Sequence, residues 1–521
     1  MSLVVQGNDG TQDWFYSKQI TGTETINASD IKSALSMTSD IDLSACKIWL
    51  EITEDNVSYA VNIEDEIEKI NTTYVTRDEL MTAFKPEADG TATNYGKLVF
   101  GKKLDGTTQE WYILGADSGV SGDNTIIFAA SPIATVQKFD SSSTNKTDSN
   151  LWSECNYGGA SVTEVFANHY GASELRAVLK GMTDGSNTSC FTTAEQGLMN
   201  DTTVTTTDKK NRKTYTTTDK LYALAADGAG DSYKIIKAGS DNRTVLAIRN
   251  YCNSGEGFWM RSPNDSFSYA SLYAWPGHKV NYNDVYTYAA VQPASNLKLS
   301  SVLFASAAMA TSSVETYGMI TEGQPMILRL DGTSKDIGTV TYNTTTGNIK
   351  AVKGGISQSV ELVVQGNGGT HDWFYSKTIG TSETINTSTI KSKVGSDIDL
   401  SACKIWLETT DSTENLTYAV NATEAATNNI TSVAITDIDT PAANTALDTS
   451  ASCTTTGVSS TTPQITWTPN DTTAGYNTSY TASITLTADT DYEFTDSTTA
   501  TVLGNSATSV TKNADGTLTV T

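Results

Sequence analysis

Histidine, cysteine and proline are scarce in this chain, with three, six and nine copies in 521 residues. His169, His278 and His371 stand far apart and none lies in a nucleophile-elbow sequence, so the linear order assembles no histidine-based triad. The cysteines are too widely spaced for a disulfide framework or a Cys-x-x-Cys metal site. Cys155, Cys190 and Cys252 share one region, where one pair could bond or all three could be simply buried or free. No Gly-rich phosphate loop stands between a strand and a helix. Carboxylates are so abundant that pairs of them say nothing about hydrolysis. These shortages predict no catalytic residues, no metal and no cofactor: a protein that is not an enzyme.

Basic charge is also in deficit, with 34 Lys and Arg against 59 Asp and Glu and a formal charge of −25. A phosphate backbone is held by clustered Lys and Arg, so nucleic acid is not an expected partner. The one basic cluster, Lys209, Lys210, Arg212 and Lys213, sits in a Thr-rich stretch and reads as a solvated loop. No apolar run approaches the roughly 20 residues of a membrane span. The longest, Val302 to Ala310, is interrupted by Ser306, and membrane insertion is not expected. What the chain has instead is Thr, Ser, Asn, Asp and Gly, the mark of a modular, β-leaning, extracellular-type protein. At roughly 100–200 residues per domain its length holds about three to five domains.

The strongest organisational signal is an internal repeat. Leu3–Asn62 begins LVVQGNDGTQDWFYSKQITGTETIN, and Leu362–Asn421 begins LVVQGNGGTHDWFYSKTIGTSETIN. SDIDLSACKIWLE at Ser39–Glu51 recurs at Ser396–Glu408, and YAVN recurs at Tyr59 and Tyr418. Copies this far apart are not a solenoid; they are two small β-modules flanking something else. WFYSK and KIWLE carry the β-branched and aromatic residues of strands. The second copy is preceded by MILRLDG at Met326 and IGTVTYNTTTGNIKAV ending at Val352, with hairpin-type turns expected at Asp331-Gly332 and around Gly347. The first copy has no such lead-in. Either it was cut from a longer protein, or its module is completed by another chain.

After the first copy, Ile63, Ile67 and Ile70 fall at helical spacing, and Thr76 with Glu79 forms a capping box for a helix ending before Pro86. This stretch reads as a connector helix or an oligomerisation stalk, so a homo-oligomer is among the arrangements it allows. Tyr95 to about Ala308 mixes strand patterns (KLVFGKKL, EWYILGA) with helical ones (SELRAVLKGM from Ser173, and a helix capped by Thr192 and Glu195). TDKLYALAA and TVLAIRN read as strands. From Val433 to Thr521, strands alternate with turns, including a hairpin signal at Asp515-Gly516. Seven or so short strands there fit an immunoglobulin-like sandwich.

The distinctive stretch runs from Gly257 to Ala308. Its middle, Asn264–Tyr288, has 25 residues, of which sixteen are Asn, Asp, Ser, Tyr, Phe, His or Thr and five are Tyr. Tyr offers a large amphipathic contact at low rotamer entropy, and Asn and Ser offer adaptable hydrogen bonds, as in antibody-like paratopes. The flanks are more apolar and strand-like. A rigid scaffold under a polar-aromatic surface keeps the ordering cost of binding low. A run of exposed β-hairpins would have a similar composition.

GFWMRSP at Gly257, followed by VQPASNL at Val291, resembles the WLRSP…VRPA module of bacterial surface and phage proteins, which is similar to the C-type-lectin-like fold shared with formylglycine-generating enzymes. VFGK, WYILG, YGASELRAVLKG, FTTAEQGLM and TTTDKLYALAADG extend the resemblance over Tyr95 to about Ala308. It implies a multidomain chain whose central α+β C-type-lectin-like domain is flanked by all-β immunoglobulin-like or β-sandwich modules. The implied boundaries are a β-module at 1–62, a helical linker at 63–94, the lectin-like domain at 95–310, a β-sandwich module at 311–428 and an immunoglobulin-like domain at 429–521. DTTAGYNTSYTASITLTADTDYEF resembles bacterial immunoglobulin-like repeats, which act as stalks or spacers.

In the variable proteins of diversity-generating retroelements, this fold ends in a segment mutagenised at adenines of Asn-type codons. Such codons can give Asn, Tyr, Ser, Asp, His, Phe or Thr, but never Trp, Lys, Glu, Gln or Met; within 264–288 only Trp275 and Lys279 are of the excluded types. By this analogy the ligand-binding variable positions are Asn264, Asp265, Ser266, Phe267, Ser268, Tyr269, Ser271, Tyr273, His278, Asn281, Tyr282, Asn283, Asp284, Tyr286, Thr287 and Tyr288. Ala270, Leu272, Ala274, Val280 and Val285 would be the invariant packing residues. The calcium-lectin branch needs an acid beside its Pro, which Gln292-Pro293-Ala294 lacks. The copper-binding cysteines of the catalytic branch have no evident counterpart.

The expected function is therefore a ligand- or receptor-binding adhesin, and the expected partner a protein or glycan on a cell surface. Met-Ser-Leu opens the chain without a secretory signal and no anchor closes it, which favours a phage tail-associated virion protein. A bacterial cell-surface adhesin of the same type is the alternative. A decoration protein without a selected ligand is another, and an enzyme on the lectin-like scaffold is the remaining rival.

Overall fold

The computed structural model describes residues 2–8, 13–20, 28–35, 46–54, 57–62, 73–85, 96–226, 235–236, 244–245, 257–275, 279–310, 315–321, 323–368, 371–489 and 491–521. Two compact units emerge: residues 1–307 with 322–328 and 413–415, and residues 308–321 with 329–412 and 416–521. Several distinct β-sheets and few helices make this a β-rich multidomain protein. Among the described residues no helix is long and apolar enough to cross a membrane. The helix expected from Ile63, Ile67 and Ile70, and most of the strand expected at TVLAIRN, lie outside the described residues.

Unit one opens with the first repeat copy. Strands β1 (Ser2–Asn8), β2 (Asp13–Gln19), β3 (Lys47–Glu54) and β4 (Val57–Asn62) form an antiparallel sheet in the order β2-β1-β3-β4, and helix α1 (Ala28–Ala34) joins Val5 and Ile48 in a small core through Ile31. Strand β5 (Tyr74–Thr76) leads into helix α2 (Arg77–Thr82). The capping box is formed: the Thr76 hydroxyl accepts from the Glu79 amide, and the Glu79 carboxylate accepts from the Thr76 amide at 2.7 Å.

The larger part of unit one is built from β6 (Lys97–Lys102), β7 (Thr108–Ile113), β8 (Asn124–Ala129), β9 (Ala134–Lys138), helices α3 (Glu174–Met182) and α4 (Thr193–Leu198), β10 (Thr202–Asp208), β11 (Lys213–Asp219) and β12 (Leu221–Tyr222). Then come β13 (Phe258–Pro263), β14 (Ala270–Trp275), β15 (Lys279–Asp284), β16 (Tyr288–Val291), β17 (Ala294–Lys298) and β18 (Val302–Ser306). One sheet runs β12-β17-β8-β7-β6, with β8 buried along its whole length. The other runs β15-β14-β13-β16-β9. Their shared core brings Phe128 of the first sheet to 5.7 Å from Phe258 of the second, ring centre to ring centre.

Helix α3 begins at the Ser173 cap, and Thr192 with Glu195 boxes the start of α4. Glu195 also accepts from the Gly101 amide at 3.1 Å, locking α4 to β6. Gly101 has φ +69°, and a Cβ there would lie 2.3 Å from the Phe191 ring, so the close approach requires glycine.

Unit two contains the second copy and the C-terminal sandwich. Its strands are β19 (Thr316–Met319), the end of β20 (Met326–Asp331), β21 (Gly338–Asn343), β22 (Asn348–Lys353), β23 (Glu361–Asn367), β24 (Asp372–Thr378), β25 (Ser382–Asn386), β26 (Lys404–Asp411) and β27 (Leu416–Asn421). The Gly347 turn (φ +68°) closes the hairpin β21–β22. Asp331-Gly332 does not close the hairpin expected there. It opens a 3-10 turn at Thr333–Lys335, because Arg329–Asp331 pair in parallel with Thr417–Ala419 and leave β21 to its own hairpin. Residues 428–521 form two four-stranded sheets around one core that includes Val433, Ile435, Trp467, Ile484, Leu486, Phe494, Leu518 and Val520.

Candidate functional site

The segment 264–288 is carried on the sheet β15-β14-β13-β16-β9, whose central strand is apolar and buried at Phe258, Trp259 and Met260. The Trp259 indole meets Phe139 edge-on at 5.7 Å and donates to the Gln137 carbonyl at 3.0 Å. Arg261, the arginine of GFWMRSP, is also buried; it donates to the carbonyls of Ala223 (3.0 Å) and Thr205 (3.3 Å). Burial pulls its pKa down to about 10. It is a scaffold residue that ties β13 to β10 and to the end of β12, and no part of a surface.

The backbone of the polar-aromatic segment is fixed by neighbours distant in sequence. The Asn264 carboxamide oxygen accepts from the Ser266 (2.8 Å) and Phe267 (2.9 Å) amides, turning the chain out of β13. Buried Asn168 donates from its side chain to the carbonyls of Phe267 (3.0 Å) and Ala270 (2.8 Å), and from its backbone to Ser268 (3.2 Å). Val285 donates to Tyr269, and Asp140 to Val285, each at 2.9 Å. Ala270 and Val285, expected as packing residues, are fully buried. The side chains of Leu272, Ala274 and Val280 are outside the described set.

On this fixed backbone the side chains diverge. Phe267, Tyr269, Tyr282 and Tyr286 are 37–45% exposed, and Tyr288 reaches 62%. Phe267 lies 5.7 Å from Tyr269 and 5.3 Å from Tyr282, ring centre to ring centre, so a loop residue gathers residues from the start of β14 and the edge strand β15. The Tyr286 hydroxyl donates to Asp284 at 2.6 Å, which holds its pKa above the ordinary tyrosine value. Lys138 sits 4.9 Å above the Tyr288 ring. Asp265 and Ser266 are exposed; Ser268, Asn283, Asp284 and Thr287 are half-buried.

Among the described positions, two turn inward. Asn264 is spent on the turn, and Ser271 is fully buried with its hydroxyl donating to the Ser262 carbonyl at 2.9 Å. Tyr273 and Asn281 face each other across the β14–β15 ladder, with side chains outside the described set, and His278 lies outside the described residues altogether. Two contributors, Asn168 and Lys138, had no signal in the sequence; Lys209, from the basic cluster, forms an ion pair with Asp265. The basic cluster around Lys209 forms the β10–β11 turn, where Lys210 also pairs with Glu164 at 3.1 Å. Exposed pairs of this kind contribute little stability.

A second polar-aromatic cluster lies inside unit one. His169 Nδ1 accepts from the Ala172 amide at 3.1 Å. Its Nε2 therefore carries the proton and donates to the Tyr157 hydroxyl at 2.6 Å, which donates in turn to Asp208 at 2.7 Å. Tyr215 stacks on the imidazole at 4.2 Å. Burial draws the His169 pKa down to about 4 and pushes the Cys155 thiol up to about 12. The nearby Arg176 fork holds Asp219 at 2.8–3.1 Å. Tyr157, His169 and Asp208 are hydrogen-bonded to one another and to neighbouring protein groups, and the nearby Cys155 thiol is kept protonated at neutral pH by its burial. Among the described residues no group of three or more His, Cys, Asp or Glu side chains is placed to hold a metal ion. Cys155 and Cys190 are thiols.

Comparison of the chain with known protein families, with curated proteins and with solved structures returns no match.

Proposed function

We propose that the chain is a ligand- or receptor-binding adhesin, and that the segment 264–288 is its contact surface. The reading is supported above all by one observation: five aromatic side chains stand exposed on a backbone held both by its own hydrogen bonds and by the buried side chain of Asn168. Phe and Tyr contribute large contact areas with few rotatable bonds, and Tyr adds a hydroxyl for a polar partner. The backbone is already ordered, so little entropy is lost on binding. The same division of labour suits a C-type-lectin-like variable domain of a retroelement, in which exposed positions change and the fold does not. We place it on a phage tail-associated protein, with the sandwich modules as spacers; a bacterial cell-surface adhesin would use the same surface. Weak single contacts would be raised by multivalent display.

The test is a variant carrying Phe267→Ser, Tyr269→Ser, Tyr282→Ser and Tyr286→Ser together. Its thermal midpoint should stay within a few degrees of the parent, whereas its binding to target cells is lost. Unchanged binding to cells that the parent recognises would remove the surface from consideration. Failure of the parent to bind any candidate cell would favour a decoration protein. A near-copy of the Gly257–Ala294 coding segment in the flanking DNA, differing only at template adenines, would support the retroelement origin; without that copy and a reverse transcriptase gene, the origin falls.

A further inference from the structure

The two repeat copies fold alike but are completed unequally. In both, the four strands pair in the same order and register: Val5 opposes Tyr16 as Val364 opposes Tyr375, and Glu51 opposes Ala60 as Glu408 opposes Ala419. In the second copy both outer edges are occupied. Thr316–Met319 run antiparallel along Trp373–Ser376, and Arg329–Asp331 run parallel along Thr417–Ala419. The β21–β22 hairpin adds Val340, Ile349 and Ala351 to the core containing Val364 and Ile405. Arg329 donates to buried Glu408 at 3.0 Å, beside the Trp406 indole that also donates to it.

The first copy repeats the acceptor half of this arrangement. Among the described residues its sheet ends at β2 and β4, with no strand beyond either. The consequence is visible in matched side chains. Phe15 is 70% exposed, where its counterpart Phe374 is half-buried; Ser17 is exposed, where Ser376 is fully buried. Leu3, Trp14 and Tyr16 are half-buried, where Leu362, Trp373 and Tyr375 are buried. Glu51 accepts from the Trp49 indole at 3.0 Å as Glu408 does from Trp406, yet no arginine is paired with it among the described residues. A sheet with open edges is a template for strand addition.

We propose that the first copy is an acceptor for a partner chain carrying a segment of the Glu315–Lys353 type. That segment adds one strand antiparallel along β2, a second parallel along β4, and a hairpin over Val5 and Ile48, and it brings an arginine to Glu51. The chain's own Thr316–Lys353 is engaged by the second copy, so the segment offered to the first copy is a separate one.

The experiment uses the full chain and a fluorescently labelled peptide of residues 315–358. Anisotropy should show saturable binding, and amide exchange at residues 13–19 and 57–62 should slow by at least about tenfold. Ser17→Arg, placed at an exposed position whose counterpart is buried once the module is complete, should abolish binding without moving the thermal midpoint. A peptide carrying Arg329→Met should bind the parent about tenfold more weakly but bind a Glu51→Gln chain no worse than the unmodified peptide does. Absence of binding and protection overturns the proposal. Binding that survives Ser17→Arg also overturns it, because the peptide is then exchanging into the second copy or adhering elsewhere.

Discussion

Two clusters in unit one are built from the same residue types and end in opposite states. Tyr157, His169, Asp208 and Tyr215 form a closed relay, buried or nearly so, in which hydroxyl, imidazole and carboxylate satisfy one another. Phe267, Tyr269, Tyr282 and Tyr286 keep their rings partly in solvent around half-buried Asp284, and Asn168 helps to hold the backbone beneath them. Composition alone would nominate both as sites. What separates them is exposure: the first cluster buries its bonded side-chain atoms, whereas the second leaves its rings in solvent on a backbone whose peptide groups are bonded and keeps only the exposed Tyr286–Asp284 bond. A side chain without a structural task can be exchanged without unfolding the protein, and that freedom is what a contact surface needs.

The largest effect should come from breaking the buried ion pair beside the closed cluster. Arg176→Ala leaves Asp219 buried without its guanidinium, and loss of one partner of a buried pair costs about 3–5 kcal/mol. Denaturant unfolding should show that loss; a change below about 1 kcal/mol would mean that the surroundings of the pair relax around Asp219.

The same cluster should dominate the acid response. His169 has a folded pKa near 4 against 6.5 when exposed, with burial as the cause. A histidine pKa depressed by folding means that the unfolded chain takes up a proton the folded one refuses. Stability should therefore fall as pH drops from about 6.5 towards 4, at up to roughly 1.4 kcal/mol per pH unit, and this group should add no slope above that window. In His169→Gln this contribution should vanish, whatever the variant's absolute stability. An unchanged slope would assign the acid response to other groups.

Asn168→Ala addresses the open cluster from below. It removes two hydrogen bonds from buried or half-buried carbonyls and should cost about 1–3 kcal/mol. Amide exchange in residues 266–270 should rise more than elsewhere, and cell binding should fall although no exposed side chain has changed. Uniform exchange across unit one would show that the loop holds its shape without Asn168.

How much of this was legible in the sequence depended on range. The capping boxes at Thr76 and Thr192 and the Gly347 hairpin are settled within three to six residues of chain, and all three formed. Asp331-Gly332 carried an equally local hairpin signal and failed, because Arg329–Asp331 found a parallel partner at Thr417–Ala419. The density of Tyr, Asn and Ser marked the segment 264–288, but a polar-aromatic composition has no register. It could not separate Ser271, buried under Ser262, from Ser266 in solvent. Asn168 carried no signal: it reaches Phe267 across 99 residues of chain, and nothing in its own neighbourhood announces that partner.

That last distinction gives the finest test of the comparison, because it sets the two environments against each other inside one segment and with one residue type. Ser271→Tyr would force a ring into a position with no exposed surface and displace the bond to Ser262, so overpacking should cost about 1–3 kcal/mol. Ser266→Tyr adds the same ring to an exposed position and should change stability by no more than about 0.5 kcal/mol. Both substitutions belong to the set that a retroelement-type codon produces, so composition treats them as equals. If both are tolerated, β14 is looser than its hydrogen bonds imply, and the contact surface extends onto both faces of the β14–β15 hairpin. If only Ser266→Tyr is tolerated, the proposed contact surface is confined to the loop, the edge strand and the turn at Tyr286, and Ser271 belongs to the scaffold beneath it.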